Sequence, residues 1–108
     1  MQIRLENLKS NPTTFMRSCG YSLERAEGNE LSFMRRISGG GDYPRLHAYT
    51  HTEDDVLVIN LHLDQKKPSY DSANAHSGEY DGDIVTEEAE RIKSFADSYE
   101  EPEHITEF

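Results

Sequence analysis

The chain has 108 residues with a formal net charge of −10, one cysteine and no tryptophan. That length suits one domain with one modest core, built from six Tyr, four Phe and the Leu/Ile/Val set. A single Cys19 excludes an intramolecular disulfide and any framework of several thiolates. The charge is uneven: residues 1–50 hold seven Lys/Arg against five Asp/Glu, residues 51–108 four against sixteen. An acidic surface repels phosphate backbones, so bulk nucleic-acid binding is disfavoured. No apolar run approaches the roughly 20 residues that span a bilayer. The first residues lack the apolar core of a secretion signal, so the expected location is cytoplasmic, with no membrane contact.

In chain order, Ile3, Leu5 and Leu8 suit either a short strand or a lead-in lying on the core. Asn11-Pro12 starts a short helix, Asn as cap and Pro at the first helical position. Phe15, Met16 and Cys19 share its apolar face, and Gly20 ends it. Tyr21 to Arg25 reads as a short strand, Glu27 to Glu30 as a turn, and Leu31 to Ser38 as a strand. Gly39-Gly40-Gly41-Asp42 is a loop.

Arg45 to Thr52 and Val56 to Asp64 alternate in polarity on either side of an acidic turn, which predicts an antiparallel hairpin. One face of it carries Leu46, Ala48, Thr50, Leu57, Ile59, Leu61 and Leu63. The other carries Arg45, His47, Tyr49, His51, Val58, Asn60, His62 and Asp64. Residues 65–84 read as a polar loop of about twenty residues, long for a small domain. A helix capped by Asp83 or Thr86 follows, with Val85, Ala89, Ile92, Phe95 and Ala96 at helical spacing and Glu87 four residues before Arg91. Residues 1–98 then form one domain, and 99–108 an acidic, disordered tail.

The expectation is an α+β fold: an antiparallel sheet of three or four strands with two helices on one face, in the order α-β-β-β-α. That order resembles the double-stranded-RNA-binding-domain layout. Cys19-Gly20-Tyr21, Arg25, Gly28 and Phe33 carry the spacing G-[FY]-x3-R-x2-G-x4-F and resemble the HicA family of small mRNA-interferase toxins, over about a third of the chain. The resemblance implies a toxin–antitoxin or RNA-associated role. Glu30 stands where that family has its catalytic histidine, so no catalytic residue is carried over. The segment from His76 to Gly82 resembles small bacterial proteins for which no activity follows.

Two covering helices leave one sheet face open. His47, Tyr49, His51, His62 and Asp64 lie on it, and His76, Glu79 and Tyr80 belong to the loop that leaves it. The leading expectation is a binding module for a small ligand or a protein partner, using that face and the loop. Imidazole and carboxylate together also suit acid–base work or a divalent metal such as Zn²⁺, Mn²⁺ or Fe²⁺, with His62 and His76 as ligands. That is the alternative: a small hydrolase using His62, Asp64, His76 and Glu79. No other cofactor is expected. A solvated polar strand face is the plainer reading of the same residues.

Overall fold

The computed structural model describes residues 1–6, 8, 11–37, 43–65 and 74–99, apart from the side chains of residues 74–81. The chain is α+β. Its elements are β1 (Gln2–Glu6), α1 (Pro12–Ser18), β2 (Ser22–Glu27), β3 (Glu30–Arg36), β4 (Arg45–Glu53), β5 (Val56–Asp64) and α2 (Asn74–Ser98). All five strands join one antiparallel sheet in the order β1-β5-β4-β3-β2. The sheet thus has five strands instead of three or four, and a strand precedes α1. Ile3 and Leu5 settle as a strand because β5 would otherwise be an edge. Ile3 pairs with Ile59 and Leu5 with Leu57, so both apolar side chains continue the buried face of β5.

The strand alternation holds. Phe33, Leu46, Ala48, Leu57, Ile59 and Leu61 point to one side and form the core with Phe15 and Met16 of α1 and Ala89 and Ile92 of α2. Thr50 shares that side, fully buried, its hydroxyl donating to the Leu31 carbonyl at 3.4 Å. The β4–β5 hairpin turns at Asp54, whose φ of 54° is left-handed, a conformation that aspartate tolerates. The β2 strand runs Ser22–Glu27, displaced from Tyr21–Arg25. Tyr21 instead turns into the core at 3% exposure.

Asn11 caps α1 as expected, its Oδ1 accepting from the Thr13 and Thr14 amides at 2.8 and 3.4 Å. Gly20 follows at φ +100°, and a Cβ there would meet the Arg35 Nε at 3.3 Å. Gly20→Ala therefore combines backbone strain with a crowded guanidinium, and we expect a loss of about 1–2 kcal/mol in urea unfolding. An unchanged urea midpoint would contradict the strain.

The polar stretch after β5 is in part helix instead of loop. Residues 74–84 are helical, so α2 begins about ten residues before Asp83, and Asp83 and Thr86 are interior positions rather than caps. The segment has polar residues and two glycines with no apolar stripe, so periodicity alone cannot reveal it as helix. Residues 66–73 of the loop, the Gly39–Asp42 loop and residues 100–108 of the tail lie outside the described residues. Tyr99 belongs with the body of the domain, its ring edge-on to Phe15 at 5.2 Å. Among the described residues no helix is long and apolar enough to cross a membrane.

Candidate functional site on the open sheet face

Both helices pack on one side, so among the described residues no helix covers the opposite side of β3, β4 and β5, on which Val58 and Ser32 are buried. Cross-strand register decides which residues meet there. His47 pairs with His62, Tyr49 with Asn60 and with Ser32, and Arg45 with Asp64. Diagonal neighbours across adjacent strands lie within reach of long side chains. His47 uses both diagonals. Its Nδ1 stands 2.9 Å from Asp64 Oδ2, and its Nε2 stands 3.0 Å from Ser32 Oγ. Glu24 reaches the same Nε2 at 2.9 Å.

Glu24 gets there through an irregularity. The β2–β3 register slips between Leu23 and Arg25, which leaves Glu24 unpaired in the ladder. A bulge of this kind re-aims a side chain, here toward the polar face. Arg45 stands behind Asp64, its Nε 3.7 Å from Oδ2, with its guanidinium over the Tyr43 ring at 4.8 Å.

Tyr49 is fixed between two histidines. The His47 ring stacks on it at 4.5 Å, and the His62 ring meets it edge-on at 5.7 Å. Beside this trio, Glu24, Arg25, Glu27, Glu30, His47 and Tyr49 line a groove of about 470 Å³ that also reaches Ser32.

The sequence-predicted residues thus divide. His47, Tyr49, His62 and Asp64 converge, although Asp64 serves His47 and not His62. His51 stands apart, hydrogen-bonded to Glu53 at 2.9 Å, a contact that holds the Glu53 carboxyl below its usual range. His76, Glu79 and Tyr80 lie on the first turns of α2 rather than in a loop, and their side chains are outside the described residues. Among the described residues no group of three or more His, Cys, Asp or Glu side chains is placed to hold a metal ion.

Ser32–His47–Asp64 has the connectivity of a nucleophile, a base and an orienting carboxylate. The fourth member alters its chemistry. Glu24 stands at the same Nε2 that Ser32 meets, and the Ser32 hydroxyl also reaches Glu24 Oε1 at 3.5 Å, so Ser32 is shared between the ring and a second acceptor. With Asp64 at Nδ1, the cluster ties β2, β3, β4 and β5 together around one imidazole.

A second polar cluster sits on the helix side. Glu88, 6% exposed, accepts from the Tyr21 hydroxyl at 2.7 Å and from Arg91 at 2.9 and 2.8 Å, with Arg35 at 3.5 Å. Arg91 also donates to the Cys19 carbonyl at 2.6 Å, tying α2 to the end of α1. Burial pushes the Glu88 carboxyl up. Hydrogen bonds from Arg91 and Tyr21 and the charges of Arg91 and Arg35 outweigh this and leave it below its ordinary value. Burial raises the Tyr21 hydroxyl, and the Glu88 charge adds to the rise. Burial likewise pushes the Cys19 thiol up to about 12, so it packs as an unreactive thiol. Arg91 therefore pairs with Glu88, three residues away, rather than with Glu87.

Sequence reasoning missed Glu24, Ser32 and Glu88 as members of these clusters. Ser32 carries a faint signal: between Leu31 and Phe33 it must face the histidine side. Glu88 carries a clearer one. It lies three residues from Val85 and four from Ile92, inside the apolar stripe, where a carboxylate demands partners. Glu24 depends on the bulge, for which no local signal exists. No family model, no curated protein and no solved structure matches the chain.

Proposed function

We propose that the chain is a binding module whose recognition surface is the uncovered face of β3, β4 and β5, centred on Tyr49, and whose ligand is a small molecule or a protein partner. The observation that carries this reading is the Tyr49 ring, half-buried and held by His47 and His62 at the edge of a groove. An aromatic fixed by its neighbours loses little conformational freedom when a ligand covers it, which favours its use as an anchor. Pockets with convergent polar groups beside an apolar wall are the usual form of a binding site.

Ligand-observed NMR with a fragment library tests the reading. Several fragments are expected to bind the wild-type chain and to lose at least about tenfold in affinity on Tyr49→Ala, a typical loss for an aromatic anchor. The variant should keep its fold. Equal binding by both chains would remove Tyr49 from the site.

The Ser32–His47–Asp64 connectivity favours a second reading, an acyl-transfer hydrolase with Ser32 as nucleophile. Glu24 opposes it by standing 2.9 Å from the same Nε2 and competing with it for the Ser32 hydroxyl. Under the binding reading, a fluorophosphonate probe leaves Ser32 unmodified in the folded chain. Stoichiometric labelling at Ser32, lost on His47→Gln, would establish the hydrolase instead.

A further inference from the structure

The uncovered face differs in charge along its length, and its β2–β3 end is built for positive charge. Three carboxylates, Glu24, Glu27 and Glu30, stand around the groove against one cation, Arg25. Their internal neutralisation is slight. Arg25 approaches Glu27 only to 3.9 Å, with both side chains about three-quarters exposed, a geometry that contributes little in water. Glu30 forms no ion pair among the described residues, while Glu24 faces His47. The Tyr49 ring forms the apolar wall beside them. Carboxylates next to an aromatic ring are the complement of a guanidinium or ammonium group, which donates hydrogen bonds to the first and makes a cation–π contact with the second.

We propose that this end of the sheet docks a basic protein partner, one of whose arginine or lysine side chains enters the groove between Glu24, Glu27, Glu30 and Tyr49. The inference rests on the binding-module reading and names its partner. Charge complementarity selects the occupant. A net charge of −10 attracts a basic protein over long range and repels phosphate backbones. The groove borders β2, an edge strand all of whose residues are exposed, so a small free cation would remain largely solvated there. A side chain presented by a protein is already positioned, and the adjoining face around Tyr49 and His62 supplies contact area.

The test is a ¹H–¹⁵N titration of the full chain with a hexa-arginine peptide at 0.15 M salt. Saturable shifts are expected at the amides of residues 22–32 and 47–51. The triple variant Glu24→Gln, Glu27→Gln, Glu30→Gln should weaken binding by tenfold or more. The control Glu87→Gln, Glu90→Gln on α2 should bind like wild type. Equal losses in both variants would mean unselective charge attraction and would overturn the proposal. So would peptide shifts that map to α2. If the peptide leaves residues 22–32 unmoved while fragments still bind at Tyr49, the basic partner fails and the binding module stands. If neither binds, both fail.

Discussion

Phe15→Ala is expected to destabilise the domain by about 3–5 kcal/mol, the range for removing a buried aromatic ring. Phe15 has no exposed surface, and its ring meets Tyr99 edge-on at 5.2 Å and Phe95 at 6.3 Å. It lies on α1, a helix of seven residues, too short to persist without tertiary contacts. Its loss leaves a cavity between α1 and α2 and releases the ring that holds the end of α2. For a domain with a total stability on the order of 5–15 kcal/mol, the change takes a large share. The melting temperature should fall by at least about 12 °C. Urea unfolding checks the size of the change: a lower midpoint with an unchanged slope is expected. A loss below about 1 kcal/mol would mean that α1 contributes little to the core.

Glu88→Ala carries the next largest expected cost. It removes the acceptor for Tyr21 and Arg91 and the counter-charge for Arg35 at once. Breaking a buried ion pair costs about 3–5 kcal/mol when the remaining charge is sealed from water. Arg91 and Arg35 keep 40% and 34% of their side chains exposed, so water recovers part of their hydration. The expected loss is then about 2–3 kcal/mol, much of it from the stranded Tyr21 hydroxyl and the lost charged hydrogen bonds.

The pH dependence has a definite sign. The folded carboxyl lies below its ordinary value of 4.5, so in the folded state it loses its proton more readily than in the unfolded chain. Its contribution is complete above about pH 4.5 and disappears as pH falls through the lower folded value. Glu88→Gln should therefore cost stability at pH 7 and show a shallower decline below pH 4.5 than wild type. Parallel acid limbs for the two chains would contradict the lowered value.

The strands with strict alternation were legible. The predicted span from Val56 to Asp64 coincides with β5, because Leu57, Ile59, Leu61 and Leu63 alternate with Val58, Asn60, His62 and Asp64 along it. The placement of His47, Tyr49, His62 and Asp64 on one face follows from the same alternation. What alternation leaves open is register, and register sets the partners. Asp64 reaches His47 rather than the nearer-in-sequence His62 because β4 and β5 pair Arg45 with Asp64. The β1 strand is ambiguous in the sequence since its partner residues lie 50 or more positions away, beyond any local signal. The first third of α2 is hidden by its polarity, and Glu88 by its place among the many acidic residues of α2 that face solvent.

Recognition on the face away from the helices can be told apart directly from recognition on the helix side. The decisive measurement is an amide chemical-shift map of the full chain with the best-binding fragment. Shifts are expected to concentrate at Ser32, Met34, His47, Tyr49 and His62. Shifts concentrated instead at Arg35, Ile37, Leu46, Ile84 and Arg91, which line a groove of about 400 Å³ on the helix side, would place the site there and contradict the account.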